Sequence, residues 1–104
     1  MPIDVKPDDL AFVLNILKRE LPERAVWAFG SRVGGTAKPF SDLDLAIIGE
    51  EPLSCDTRAN LAEAFDESDL PFKVDLVDWA TTAPAFRRII EKNRIVLIDA
   101  ISAS

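Results

Sequence analysis

The chain has 104 residues, 48% of them hydrophobic, a formal charge of −6, one cysteine and no histidine. That length holds one domain with a modest core, and the acidity excludes a general grip on nucleic-acid backbones, which needs clustered Lys and Arg. Without histidine there is no Ser-His-Asp or Cys-His nucleophile and no histidine-bound zinc, so a base must be Asp, Glu or Lys and a metal site must be built of oxygens, which suits Mg²⁺, Mn²⁺ or Ca²⁺.

Pro7, Asp8 and Asp9 precede the run LAFVLNILKREL, and acids there favour the positive end of a helix dipole. Leu10, Val13, Ile16, Leu17 and Leu21 recur at three- and four-residue spacing, which predicts an amphipathic helix over 7–21, ended by Pro22. Residues 24–29 read as a buried strand closed by Gly30. Residues 31–41, with Gly34, Gly35 and Pro39, read as a loop with one helical turn after Ser31, and 42–48 as a second strand. Ser54 or Asp56 caps a helix through TRANLAEAFDES, with Leu61, Ala64 and Phe65 facing in. In FKVDLVDWA, Phe72, Val74 and Leu76 alternate with Lys73, Asp75 and Val77, which predicts a third strand ending near Asp78. Thr81, Thr82 and Pro84 open a last helix, AFRRIIEKN, and RIVLIDA is either a fourth strand or an apolar extension. Cys55 is expected to be half-buried, and Trp27 and Trp79 to sit in the core or at its edge.

The loop between the first two strands is too short for an ordinary helical crossover, so those strands are expected to pair antiparallel. The chain reads as one α+β domain over 1–104, a small mixed β-sheet flanked by helices, with loose termini at 1–6 and 99–104. No apolar run reaches the ~18–20 residues of a membrane span, and MPIDVKPDDL does not read as a secretory signal. A single cysteine cannot form an internal disulfide. The expectation is a soluble cytoplasmic protein.

The chemistry concentrates in GSRVGGTAKPFSDLDLAII. Alternate side chains of a strand share a face, so Asp42 and Asp44 point the same way, with Cα atoms ~6.5–7 Å apart. Asp75 joins them if the third strand neighbours the second. Three acids on one face repel unless a divalent cation resolves the repulsion. Two such ions are the usual apparatus for in-line phosphoryl or nucleotidyl displacement, and Asp75 is then placed to take a hydroxyl proton. Gly30 allows a sharp turn and a close phosphate approach, Ser31 offers a hydroxyl donor, and Arg32 or Lys38 could neutralise phosphate charge. Taken singly, a DLD strand is most often a half-exposed strand with solvated acids and GS most often a turn; the combination carries the signal.

Gly30-Ser31, ten residues, then Asp42-Leu43-Asp44 resembles the G-S-x10-D-x-D signature of the DNA polymerase beta-like nucleotidyltransferases. The short chain and the third acid in KVDLVDWA resemble the minimal nucleotidyltransferase (MNT) group, and the likeness runs from about Leu10 to Ile98. It implies a mixed sheet flanked by helices. Gly30, Ser31, Arg32, Lys38 and Ser41 would hold the nucleotide, Asp42, Asp44 and Asp75 would carry one or two Mg²⁺ ions, and Asp75 would be the base. Such enzymes move a nucleoside monophosphate from an NTP, here expected to be ATP, to a hydroxyl and release pyrophosphate. Minimal members are similar to the antitoxin half of HEPN–MNT pairs, whose all-helical HEPN partner is the toxin, or a substrate-binding subunit, and in some pairs takes AMP on a tyrosine. Many carry a second basic residue in the loop, where this chain has Gly34.

The resemblance therefore implies a Mg²⁺-dependent adenylyltransferase working on an acceptor that a HEPN-like helical partner presents. Two alternatives stand beside it: a binding module that neutralises a HEPN partner by occlusion, and a small-molecule adenylyltransferase of the aminoglycoside kind. No membrane and no stable nucleic-acid binding are expected, and a homo- or hetero-oligomer is left open.

Overall fold

The computed structural model describes residues 3–99. Four helices and four strands follow in the order α1 (Pro7–Glu20), β1 (Val26–Phe29), α2 (Ser31–Gly34), β2 (Leu43–Ile47), α3 (Cys55–Asp66), β3 (Val74–Asp78), α4 (Pro84–Asn93) and β4 (Ile95–Ile98). Pro7 stands in the first turn of α1 and Pro84 in that of α4, where a missing N–H costs nothing. Ser54 caps α3, its side chain accepting from the Thr57 N–H. A single 3₁₀ turn, Trp79–Thr81, joins β3 to α4.

The strands form one mixed sheet in the order β3-β2-β1-β4. β1 pairs antiparallel with β2 across the glycine-containing loop. β2 and β3 run parallel, Asp44 lying opposite Asp75, and α3 is the crossover that a parallel pair requires. The tail folds as β4, antiparallel to β1, which settles the choice between strand and extension.

Alternation sorts the sheet into two faces. Leu43, Leu45 and Ile47 pack with Val26 and Ala28 against α1 and α3, through Val13, Ile16, Leu17, Leu61 and Phe65. On the other face Phe29 and Ala46 pack under Ile90 of α4, with Trp27, Ile48, Val77 and Trp79 around them. The tryptophans meet edge-on at 5.1 Å, at the edge of this smaller core. Asp44 and Asp75 lie on the α4 face, where alternation along β2 and β3 puts them.

Two expectations are corrected. Cys55 is exposed at the start of α3, because the helix turns its Leu61 and Phe65 inward instead. Residues 3–6 are not loose: Ile3 is buried in the main core, and the Asp4 N–H donates to Arg32 O at 2.7 Å. Residues 1–2 and 100–104 of the expected loose termini lie outside the described residues. Among the described residues no helix is long and apolar enough to cross a membrane.

Leu45 is fully buried at the centre of the sheet. Leu45→Ala is expected to cost about 2–5 kcal/mol, while Phe40→Ser, at a side chain 80% exposed, changes stability by no more than about 0.5 kcal/mol. Urea unfolding of both variants checks the contrast.

Candidate active site

Gly30 follows β1 with φ 81° and ψ −157°, a conformation essentially confined to glycine. A Cβ there would also run into Asp44 Oδ2. Sterics and backbone thus require the same residue, and the chain turns directly against the carboxylate. Its carbonyl then accepts from the N–H groups of Val33 and Gly34 at 3.1 and 2.9 Å, which closes α2. Gly35, with φ 82°, ends that turn.

The Gly30–Gly34 turn, Asp44, Asp75 and α4 enclose a cleft of about 670 Å³, within the usual range for small-molecule sites. Ser31 and Thr36 line it from α2 and the loop that follows, Asp44, Asp75 and Val77 from β2 and β3, and Phe86, Ile89 and Asn93 from the wall formed by α4. Phe86 meets Phe29 edge-on at 5.8 Å.

Asp44 is half-buried, and its carboxyl is pushed above the ordinary aspartate value of 3.8, first by burial, then by the charges of Asp75 and Asp42. No described side chain pairs with any of the three acids. The cluster is therefore a negative site without a counter-charge, made of hard oxygen donors of the kind Mg²⁺ or Mn²⁺ takes.

The sequence-predicted residues divide. Gly30, Ser31, Asp44 and Asp75 come together in the cleft. Asp42 lies just before β2, is exposed, and lines an adjoining hollow with Phe40, Phe65 and Lys73. It is close enough for its charge to act on Asp44. Among the described residues, however, no three acids are gathered tightly enough to hold a metal ion as they stand. The donor set fits a divalent cation through Asp44 and Asp75, and Asp42 has to turn toward them to join.

Arg32 departs from its expected part. It is only 6% exposed, and its guanidinium donates to Ser41 O at 2.9 Å, Asp4 O at 2.8 Å and Pro39 O at 3.0 Å. It also lies over the Phe72 ring at 4.3 Å. A buried cation has to spend its donors, and Arg32 spends them on three backbone carbonyls; it fastens the loop and the N-terminal segment and does not face the cleft. Ser41 is equally structural, its Oγ accepting from the Lys38 N–H at 2.8 Å. Lys38 lines a separate hollow with Arg32 and Phe72. Gly34 does line the cleft, and a Cβ on it would meet open space.

The wall residues Phe86, Ile89 and Asn93 escaped the sequence reading, as did Thr36. Their signal lies in α4, where the apolar stripe through Ile90 is wider than one buried face needs. A second miss is Asp78. Its buried carboxylate accepts from the Leu53 N–H at 2.9 Å and from Arg58 Nη2 at 3.3 Å, which ties the start of α3 to the end of β3.

A family model described as "Polymerase beta, Nucleotidyltransferase" matches residues 13–101. The chain is 58% identical over 95 residues to the "Probable protein adenylyltransferase MntA" of Haemophilus influenzae, covering 91% of this chain and 83% of that protein. Among solved structures it is similar to a toxin-antitoxin crystallised with AMP-PNP, at TM-score 0.71 and 26% identity over 86% of this chain and 72% of that one. A chain of the solved complex of a tri-AMPylated Shewanella oneidensis HEPN toxin with MNT antitoxin shares the fold, at TM-score 0.66 and 20% identity over 91% of this chain and 73% of that one.

Two outcomes follow from the geometry. Arg32→Met removes three charged hydrogen bonds and is expected to cost about 2–4 kcal/mol in the absence of any nucleotide. Arg32→Lys should not restore it, since an ammonium lacks the planar fork; denaturant unfolding measures both. For Asp44, the native chain binds more protons than the unfolded one between 3.8 and its raised value, so stability falls as pH rises through that window. Without divalent cations Asp44→Asn is therefore expected to raise Tm at pH 7, and the gain should shrink as pH falls toward 3.8. Thermal melts across pH check the sign.

Proposed function

The chain belongs to the polymerase beta nucleotidyltransferase family, and on that premise we propose that it is a protein adenylyltransferase, moving AMP from ATP to a hydroxyl of a HEPN-type partner whose toxicity it curbs. The observation that carries the reading is the meeting of the Gly30–Ser31 turn with the Asp44–Asp75 pair across one cleft. The names of the relatives supply substrate and partner: a probable protein adenylyltransferase, and a toxin-antitoxin holding an ATP analogue.

Gly30 leaves room for the Asp44 carboxylate where a Cβ would stand, and the Ser31 hydroxyl donates to a phosphate held at the turn. Asp44 and Asp75, joined by Asp42, would hold Mg²⁺, which would supply charge neutralisation at the triphosphate and activation of the acceptor hydroxyl. Asp75, exposed on the edge strand β3, takes the proton of the attacking hydroxyl. The new bond joins that oxygen to the α-phosphorus, the bond to the β-phosphate oxygen breaks, and pyrophosphate leaves. Asp44, more enclosed, fixes the geometry.

A second reading rests on one observation. No basic side chain lines the described cleft, which favours a domain whose complex with the partner is itself protective. The two separate in vivo: if Asp44→Asn keeps its complex but loses protection, catalysis is the function; if protection persists, occlusion suffices.

In a transfer assay with the partner, Asp44→Asn and Asp75→Asn are expected to lower AMP incorporation by about 10²–10⁴-fold, read by mass spectrometry of the acceptor. Undiminished incorporation would end the proposal. Gly34→Arg, entering open space beside the cleft, is expected to tighten Mg·ATP binding by about tenfold, the scale of one added charge-assisted hydrogen bond.

A further inference from the structure

The α4 wall of the cleft is unlike the rest of its lining. Phe86, Ile89 and Asn93 stand at positions i, i+3 and i+7 and so fall on one side of the helix. Ile90, between them in sequence, is fully buried against Phe29 and Ala46 and fixes the rotation of the helix. Both ends are fastened as well. At the start, Arg87 donates through Nε and Nη2 to Trp79 O at 3.1 and 2.6 Å. At the end, Arg94 lies over the Trp27 ring at 4.4 Å.

With the helix held, Phe86 and Ile89 remain 39% and 58% exposed in a cleft shared with two acids. Exposed large apolar side chains in a concave site call for a flat apolar ligand surface. Asn93 closes this wall, and none of its side-chain atoms has a hydrogen-bond partner among the described residues. Among the described side chains lining the cleft it alone presents a donor and an acceptor together in one planar fork. Ser31 and Thr36 offer single hydroxyls near the turn, and the two acids offer acceptors only. A nucleobase presents the complement: an aromatic face and an edge where donor and acceptor stand side by side.

We infer that the Phe86–Ile89–Asn93 wall is the nucleoside subsite, and that Asn93 is a specificity-determining residue reading the hydrogen-bonding edge of the base. The inference rests on the nucleotidyltransferase reading and deepens it. Against adenine, the Asn93 amide carbonyl accepts from the exocyclic amino group while its NH₂ donates to a ring nitrogen. A carboxylate at this position would have no donor for adenine. It would accept from the N1–H and exocyclic amino group of guanine. The residue is exposed at the end of a helix, so its substitution leaves the core untouched.

The test compares wild type, Asn93→Ala and Asn93→Asp. It measures kcat/KM for nucleotidyl transfer from ATP and from GTP with the partner present, and affinities of the isolated chain for Mg²⁺ with non-hydrolysable ATP and GTP analogues. Asn93→Asp is expected to shift the ATP-to-GTP ratio about tenfold or more toward GTP, and Asn93→Ala to bring the ratio close to one. A ratio unchanged in both variants overturns the inference, whether or not overall activity falls, because a structural or phosphate-holding role would affect both nucleotides alike. If the wild type transfers from no nucleotide, the underlying enzymatic reading fails instead and takes the subsite with it.

Discussion

The proposed function depends on two carboxylates held side by side with no counter-charge among the described residues. The parallel register of β2 and β3 puts Asp44 next to Asp75, and burial then makes the Asp44 charge costly. A protein selected only for stability would replace one of them, as an unpaired half-buried charge costs more than an amide. Their pairing makes sense as a site that a divalent cation completes. The stability carried by two apolar layers, one under α1 and α3 and the other under α4, allows the sheet to tolerate the repulsion.

The loop before β2 serves the same end by a different means. Its glycine at position 30 brings backbone against Asp44 with no side chain between. Its arginine at position 32 holds the loop shut from the far side through Ser41, Pro39 and Asp4 carbonyls. The rim of the cleft is thus fixed before any ligand arrives, and pre-organisation of this kind lowers the cost of binding. The one basic side chain in the turn is spent on architecture, which leaves charge neutralisation to cations from solution or to an acceptor protein.

The fold was largely legible because the chain's local signals agree. Period-four apolar spacing in α1, alternation in β3, prolines at helix starts and the short first loop all point to one mixed sheet. The acids were legible in part: alternation and spacing single out Asp44 and Asp75, and their meeting was expected only if β3 neighbours β2, as the parallel pairing of the two strands shows. What stayed hidden depends on direction in three dimensions. Arg32 sits in the right motif, yet the helical turn aims it away from the cleft, and only the carbonyls gathered around it reveal this. Asp42 shares a parity with Asp44 but precedes the strand, so its side chain opens into another hollow. Phe86, Ile89 and Asn93 join the site because Ile90 anchors α4 across the sheet; the wide apolar stripe of α4 hints at a second face, but which surface that face meets is a tertiary fact.

The central claim is that Asp44 and Asp75 together hold the cation through which a nucleotide is bound. Titration calorimetry of Mn²⁺ with a non-hydrolysable ATP analogue measures it on the isolated chain. The account predicts saturable binding that requires the metal, and its loss in the Asp44→Asn/Asp75→Asn double variant while circular dichroism shows the fold intact. Equal affinity in the wild type and the folded double variant, or nucleotide binding indifferent to the metal, would contradict it.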